Sequence, residues 1–266
     1  MTIPSKKLLT LIITVLLLPA CKAGDASLAI HPESGSSVKN SQNHQSSPYT
    51  THYLMGKFNP AKTALFVKIP KKYTDRTGLY IREEALNAFI KMQAAAKKSG
   101  VKLTIRSATR NFSYQKRIWE RKWLGKRKLS DGTNVARDIR NPVDKSLKIL
   151  QYSAMPGTSR HHWGTDIDLN SFSNKWFESG KGLKLFNWLE VNAEKYGFCR
   201  PYTANRPHGY QEEKWHWSYL PLSVPMTKVA QQTLNDQQIS GFLGSETAQQ
   251  IGVVNKYILG ISKSCR

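Results

Sequence analysis

Residues 159–168 of this 266-residue chain read SRHHWGTDID, and this stretch decides the fold class and the chemistry. From Thr165 to Leu169 the side chains alternate in character, which predicts a strand. Residues two apart on a strand point to the same side, so Asp166 and Asp168 share one face. His161 lies just before the strand, where its imidazole can meet a carboxylate at the strand end.

A second polar segment, EKWH at residues 213–216, begins a further predicted strand that is rich in aromatic residues. A catalytic zinc ion takes three protein ligands and leaves one position open for water. Imidazole nitrogens and a carboxylate oxygen suit this ion. The side chains of His161, Asp168 and His216 can converge on one ion across neighbouring strands. The sequence therefore predicts a catalytic metal site.

Such a site needs a general base near the water, because a metal-bound hydroxide must be formed and its proton passed on. Glu213 lies three residues before His216 and is close enough if the chain turns there, whereas Glu212 is a competitor for the same role. An arginine fork matches both oxygens of a substrate carboxylate. The segment RSATR at residues 106–110 offers two candidates, Arg110 and Arg106.

The pattern S-x-H-x-x-G-x-x-x-D at residues 159–168, followed by E-x-x-H at residues 213–216, resembles the signature of the zinc D-alanyl-D-alanine carboxypeptidase family. That family includes the vancomycin-resistance D,D-carboxypeptidases and shares its fold with lysostaphin-type peptidases and the hedgehog signalling domain. The segment SATR at residues 107–110, with Tyr114-Gln115 after it, is similar to the family's Ser-Gly-Tyr-Arg segment. The resemblance covers roughly residues 53–220.

The resemblance implies three zinc ligands: His161, Asp168 and His216. It implies that Glu213 acts first as the base and then as the acid that protonates the leaving amine. Arg110 would polarise the scissile carbonyl, stabilise the oxyanion or bind the terminal carboxylate. Ser159 and Gln115 would contact the substrate. The reaction expected from the family is hydrolysis of the terminal D-alanine of peptidoglycan stem peptides.

Two positions depart from the family pattern. Asp166 occupies a position that usually holds a small residue, and it is either a partner of a ligating histidine or a solvated carboxylate at the strand end. Ala108-Thr109 replaces Gly-Tyr, which removes an aromatic side chain and leaves the preferred terminal residue open. His162, beside His161, points elsewhere on an extended chain and is expected to be structural.

Other functions stay open at this stage. The same class includes removal of D-alanine across an L,D-bond and endopeptidase cleavage of cross-links. A second class is a non-catalytic, zinc-containing envelope-binding module, which Glu213 disfavours because such a module needs no base. A third class is a polyanion-binding envelope protein, which would bind in a salt-sensitive and zinc-independent manner.

The predicted strands and helices are interspersed without a regular βαβ repeat, which indicates an α+β fold with helices against a small sheet. The resemblance implies that this central sheet is antiparallel, as in the hedgehog and D-Ala-D-Ala peptidase-like fold. The principal predicted elements are strands at 66–70, 101–105, 165–169 and 214–220, and helices at 83–99, 114–123, 142–152 and 182–196. Residues 125–141 are predicted as a loop.

The N-terminus predicts export. Lys6 and Lys7 precede an apolar run from Leu8 to Leu18, the pattern of a signal segment. The run is shorter than the roughly 20 apolar residues of a membrane-spanning helix. It ends in LPAC at residues 18–21, which resembles a lipobox with Cys21 as the lipidated residue; cleavage after Ala20 or Ala23 is the alternative. The expected location is the envelope or periplasm, with the membrane contacted through an N-terminal lipid anchor.

The predicted organisation has four parts: a signal at 1–20, a flexible tether at 21–50, a zinc peptidase domain at 51–222 and a helical tail at 223–266. The tail carries an apolar stripe that can dock on the domain: Ile251, Val254, Ile258 and Ile261. Cys199 and Cys265 can pair in an oxidising compartment and tie the tail to the domain.

The formal net charge is +22, from 40 Lys and Arg against 18 Asp and Glu. Nucleic acid is the usual partner of so basic a chain, but the export signal and the absence of a recognised nucleic-acid motif argue against it. A polyanionic envelope surface and an aid to solubility are the two remaining explanations. The basic run at residues 122–128 is expected to be a solvated loop.

Overall fold

The computed structural model describes residues 49–266; the predictions for residues 1–48, including Cys21 and most of the tether, lie outside the described residues. Within the described range the α-helices are Thr51–Leu54 (α1), Glu83–Lys98 (α2), Phe112–Trp123 (α3), Val135–Asp138 (α4), Pro142–Leu150 (α5), Gly180–Asn192 (α6), Leu220–Thr233 (α7) and Ala248–Ile251 (α8). The strands are Phe66–Lys68 (β1), Tyr80–Arg82 (β2), Ile105–Ser107 (β3), Asp166–Leu169 (β4), Phe198–Cys199 (β5) and His216–Tyr219 (β6).

The central sheet has four strands in the order β3-β4-β6-β5, and every neighbouring pair is antiparallel. Strands β1 and β2 form a separate antiparallel pair. The α+β fold with a small antiparallel sheet, predicted from the sequence, is confirmed. The strands predicted at 165–169 and 214–220 are present as β4 and the shorter β6.

Helix α2 shows why the predicted helices form. Glu83 and Glu84 occupy its first turn, and Lys97 and Lys98 its last turn, so both ends carry charges that the helix dipole favours. Gly100 follows with a φ of +67°, a backbone conformation that glycine adopts without strain. The prediction of a helix from Glu83 to Ser99 is confirmed to within one residue.

The strand predicted at Val101–Ile105 is wrong in its position, since only Ile105 belongs to β3. The reason is the side chain of Asn170, which follows β4. Its Oδ1 accepts from the Thr104 amide at 3.0 Å, and its Nδ2 donates to the Lys102 carbonyl at 2.9 Å. These bonds replace the strand ladder. The loop predicted at 125–141 also contains a short helix, α4.

Two hydrophobic cores lie in the described part of the chain. One contains α2, α6 and one face of the sheet, and includes Phe89, Ile167 and Trp217. The other lies among α3, α5, α7 and the C-terminal segment, and includes Trp119 and Met226. Because Ile167 faces the first core, its neighbours on β4 point to the opposite face of the sheet.

The C-terminal segment is part of the second core. Helix α7 runs across the predicted boundary between residues 222 and 223. The four residues of the predicted docking stripe are all buried: Ile251, Val254, Ile258 and Ile261. Cys199 and Cys265 form a disulfide with a Cα–Cα distance of 5.6 Å, which joins the chain end to β5. Among residues 49–266, no helix has the length and apolar character needed to cross a bilayer.

Candidate metal centre and substrate cleft

Three local structures bring the predicted metal ligands together. His161 lies in the 3₁₀ turn Arg160–Trp163, which ends at Gly164 with a φ of +75°. A Cβ at Gly164 would lie 2.3 Å from Phe66, so the chain can enter β4 here only with glycine. On β4 and β6, Asp168 and His216 are direct cross-strand partners.

The ligand atoms form one compact group, with all three residues offering atoms within 4.8 Å of one another. Asp168 bridges the two imidazoles: its Oδ2 lies 3.3 Å from Nε2 of His161, and its Oδ1 lies 3.0 Å from Nδ1 of His216. The two rings are nearly perpendicular, with centroids 4.7 Å apart. All three side chains are buried. The structure thus assembles the three residues that the sequence predicted as ligands.

The hydrogen bonds fit a metal at this position. Nδ1 of His161 donates to the Ala108 carbonyl at 2.8 Å, which fixes the tautomer and leaves Nε2 bare. That Nε2 is buried and has no hydrogen-bond partner within the described chain. A buried nitrogen that faces a carboxylate and a second imidazole is the arrangement expected of a metal ligand.

Asp166 is fully buried and accepts from Nε2 of His216 at 2.8 Å. It is therefore not a solvated carboxylate at a strand end. Its Oδ1 accepts from Ser218 and Thr165, each at 2.6 Å. Arg160, also buried, places Nε 3.4 Å from Oδ2 of Asp166. The carboxylate thus holds the His216 ring so that Nδ1 points to the metal site.

The predicted metal ligands and their neighbours shift one another's pKa values. Burial would raise the pKa of Asp168, but His161 and His216 hold it well below its usual range. Burial would lower the pKa of His216, but its hydrogen bonds to Asp166 and Asp168 raise it to about 9. Burial and the positive charge of Arg110 lower the pKa of His161. These shifts keep Asp168 ionised, as metal binding requires, and keep His216 protonated until a metal displaces its proton.

Glu213 lies beside the three predicted metal ligands and is not one of them. Its Oε2 is 3.5 Å from Nδ1 of His216, and the turn that joins them is closed by the His216 amide on the Glu213 carbonyl at 3.3 Å. Burial raises the pKa of Glu213 to about 8; His216 opposes this shift and Asp168 adds to it. Such a pKa is typical of acid–base residues. Glu212 instead pairs with Arg200 at 2.8 Å.

The group forms part of the wall of an open cleft of about 710 Å³. Arg110 lines this cleft, and its Nε is buried without a hydrogen-bond partner in the described chain. Arg106 is absent from the wall and pairs with Asp75 at 2.7 Å. Of the two arginines, the structure brings only Arg110 to the cleft with its guanidinium free of a carboxylate partner.

The two predicted substrate contacts lie in different places. Ser159 is in the wall of the cleft. Gln115 is fully buried on α3, donates to the Ala154 carbonyl at 2.7 Å and does not line the cleft. His162 is structural in its contacts: Nδ1 lies 2.5 Å from the Arg110 carbonyl, and Nε2 accepts from the Gly157 amide at 3.0 Å.

Sequence reasoning missed three parts of the site. Tyr202 packs its buried ring against His216, with centroids 4.5 Å apart. Arg160 stands inside the metal-site motif but was not singled out, although a buried carboxylate such as Asp166 needs a cationic neighbour. Lys122 and part of the loop after it line the cleft, although Lys126, Arg127 and Lys128 are exposed, as expected of a solvated loop. A run of cations by itself gives no signal of what it faces.

Comparison with known proteins gives the class to which this fold and site belong. Residues 78–222, more than half of the chain, match the family model VanY, described as D-alanyl-D-alanine carboxypeptidase. The chain belongs to this family. The matched segment contains every predicted metal ligand and Glu213.

Two individual relatives are each about one-third identical to this chain over the aligned residues. The chain is 32% identical over 148 residues to the protein called "Putative carboxypeptidase YodJ" of Bacillus subtilis, covering 53% of this chain and 46% of that protein. It is 31% identical over 83 residues to a D-alanyl-D-alanine carboxypeptidase of Enterococcus faecalis, covering 30% of this chain and 29% of that protein. The chain thus spans less than half the length of these two relatives. The solved structure of VanYB in complex with D-alanine-D-alanine aligns with 65% of this chain and 87% of its own, with a TM-score of 0.47 and 20% identity.

Proposed function

We propose that this protein is a zinc-dependent carboxypeptidase that removes the terminal D-alanine from peptidoglycan stem peptides. The observation that carries the proposal is the arrangement of Glu213 beside a three-residue ligand group, with Oε2 3.5 Å from Nδ1 of His216, at the wall of a cleft that also presents Arg110. Two imidazoles and one carboxylate are the ligand set that catalytic zinc favours, with one position left for water. Membership of the VanY family supports the same reaction.

In this proposal His161, Asp168 and His216 hold the zinc ion, which supplies an acidified water and a polarised carbonyl when it is bound. Glu213 accepts the proton of the water on its buried carboxylate and later delivers it to the leaving amine. Burial raises the pKa of this carboxyl group above that of an exposed glutamate, which favours a group that both accepts and donates a proton.

Arg110 and Ser159 position the substrate. The guanidinium of Arg110 has no carboxylate partner in residues 49–266 and faces the cleft, so it is free to bind a terminal carboxylate or the developing oxyanion. Ser159 offers a hydroxyl on the same wall. Gln115 is buried away from the cleft, so a role in substrate contact requires a movement of α3.

We propose further that the protein acts outside the cytoplasm, because its substrate is there, and that it is anchored by lipid on Cys21. Replacement of Cys21 by Ala would remove the lipid site. Metabolic labelling with a fatty acid should mark the wild type and not Cys21→Ala. A labelled Cys21→Ala variant would contradict the lipobox.

The reaction is tested by release of D-alanine from purified muropeptides that end in D-Ala-D-Ala or in a single D-Ala. The wild type, Glu213→Ala and chelated wild type with zinc restored are compared. Release that is lost in Glu213→Ala and in the chelated enzyme, and regained with zinc, would support the proposal. The preferred muropeptide would separate the D,D from the L,D reaction. If zinc binds but no muropeptide releases D-alanine, the endopeptidase and the binding module become the remaining functions.

A further inference from the structure

One part of the cleft wall is strongly basic. The cations that line the cleft are Arg76, Arg110, Lys122, Arg127, Lys128 and Lys175. Its only carboxylates in the described chain are Asp168 and Glu213, which the metal centre uses. The proposed reaction requires one arginine for the terminal carboxylate or the oxyanion, so five cations have no assigned role.

The cleft cations have no acidic partners in the described part of the chain. Within residues 49–266, none of the six has a carboxylate at ion-pair distance. Two cations beside the cleft do have one: Arg106 pairs with Asp75 at 2.7 Å, and Lys214 with Glu178 at 3.2 Å. Unpaired cations that converge on a water-filled cleft produce a field that attracts anions.

The segment that carries Arg127 and Lys128 is held in place by its own contacts. The Arg127 amide donates to the Arg121 carbonyl at 2.8 Å, which ties the segment to α3. The Leu129 amide donates to the Thr133 carbonyl at 2.9 Å. Asp131, in the turn between them, pairs with Lys148 of α5 at 2.7 Å. A wall fixed in this way loses little entropy when a ligand binds.

Lys122 interacts electrostatically with Arg127 of this segment and with Glu213 beside the predicted metal ligands. It is partly buried at the end of α3, and its Nζ donates to the Ser153 hydroxyl. Burial lowers the pKa of Lys122 to about 8, and the positive charges of Arg127 and Arg110 add to the effect. Arg127 and Arg110 are therefore close enough to Lys122 to repel it, and a bound anion would relieve that repulsion.

We propose that Lys122, Arg127 and Lys128 form a second anion subsite that binds a free carboxylate of the substrate other than the terminal one. The inference rests on the proposed function and names its substrate class: an acidic stem peptide with at least one free internal carboxylate. A glutamate linked through its γ-carboxyl leaves such a group on its α-carbon. An amide at that position would lose the charge and the charge-assisted hydrogen bonds.

The test uses two synthetic peptides that both end in D-Ala-D-Ala and differ only in the γ-linked glutamate, which carries either a free α-carboxylate or an α-carboxamide. The zinc-loaded full chain is assayed for kcat/KM on each peptide. We expect the wild type to prefer the free carboxylate by about tenfold. Raising the salt concentration should reduce that preference.

Substitutions identify the residues that cause the preference for the peptide with the free α-carboxylate. In Arg127→Gln and in Lys128→Gln the ratio of kcat/KM between the two peptides should fall, and in the double variant it should fall towards one. Lys126→Gln is the matched control, because Lys126 is exposed in the same segment and does not line the cleft. It removes one positive charge while the ratio stays near the wild-type value. If Lys126→Gln lowers the ratio as much as either cleft substitution does alone, the preference comes from the general charge of the protein and the subsite is refuted.

Binding is measured separately by calorimetry on zinc-loaded Glu213→Gln, so that cleavage is not required. Equal cleavage and equal binding of the two peptides would overturn the subsite and leave the proposed function standing. Tighter binding of the acidic peptide without cleavage by the wild type would support the subsite and overturn the proposed function. If neither peptide is bound or cleaved, both fail.

Discussion

Nε2 of His216 lies 2.8 Å from Oδ2 of Asp166, while Nδ1 of the same ring lies 3.0 Å from Oδ1 of Asp168. One imidazole is thus held between two buried carboxylates, of which Asp168 is the predicted metal ligand and Asp166 orients the ring. Arg160 compensates the charge of Asp166 from the other side. The two effects of Asp166, orientation and charge balance, can be separated experimentally.

We expect Asp166→Asn to weaken zinc binding about 10- to 100-fold, as loss of the partner of a ligating histidine does elsewhere. It should also lower the free energy of unfolding by roughly 3 kcal/mol, because Arg160 then keeps a buried charge without a counter-ion. Zinc affinity is measured by competition with a coloured chelator, and stability by denaturant unfolding of the metal-free protein.

Adding Arg160→Met to Asp166→Asn separates these effects. The double variant should recover most of the stability, because the unpaired charge is gone, but it should keep the weakened zinc affinity. If zinc affinity returns along with stability, Asp166 acts only through charge balance and does not orient His216.

Arg110→Met should reduce kcat/KM on D-alanine-releasing substrates about 10²- to 10³-fold, since a guanidinium without a carboxylate partner is removed from the cleft. Arg106→Met is the matched control: the same residue type is lost four positions earlier, where it pairs with Asp75 outside the cleft. Its effect on kcat/KM should be less than about fivefold. Equal losses in the two variants would mean that neither arginine is specifically the one that binds the substrate carboxylate or the oxyanion.

Lys122→Met should raise the free energy of unfolding at pH 7 by roughly 2 kcal/mol, because the folded state holds a partly buried cation among other cations. The pKa of Lys122 is lowered from 10.5 to about 8, so below pH 8 both the folded and the unfolded chain carry the proton and the full cost is present. Between pH 8 and 10.5 the folded chain releases the proton and the cost disappears. Unfolding in denaturant at pH 7 and pH 9.5 should show the gain shrinking. A gain that is independent of pH would attribute the effect to packing alone.

Reduction of the disulfide between Cys199 and Cys265 should lower stability by about 4 kcal/mol, because the bond closes a loop with a sequence separation of 66 residues. Thermal unfolding with and without a reductant measures the effect. Cys199→Ala combined with Cys265→Ala should unfold like the reduced wild type and show no response to reductant. If reductant lowers the unfolding temperature of that double variant as well, the disulfide is not the cause.

The sequence predicted that His161, Asp168 and His216 lie together, and the structure brings their side chains within reach of one metal ion. The spacing of His161, Asp168 and His216 and the alternation along β4 follow directly from the printed residues. The displaced strand at Val101–Ile105 was not predictable in this way, because it depends on the side chain of Asn170, more than sixty positions away. The pairing of β3 with β4 brings that residue into place only in the folded chain.

The basic wall of the cleft shows a second limit. A run of Lys and Arg residues predicts exposure, and Lys126, Arg127 and Lys128 are all exposed. The same run also places Arg127 and Lys128 on the cleft, since the chain turns after Gly125 and is held by the contact of Asp131 with Lys148. Composition gives the sign of the charge, but only the path of the chain decides which charges meet a ligand.

The hydrogen bond from Nη1 of Arg160 to the hydroxyl of Thr227, at 2.9 Å, crosses the end of the family match at residue 222. A recombinant fragment cut there would retain all three predicted ligands and Glu213, but it would lose most of α7 and strip Arg160 of that partner. For domain swaps and chimeras, the transplantable unit is therefore longer than the homologous segment. A chimera that takes β4 from this protein must therefore take α7 from it as well.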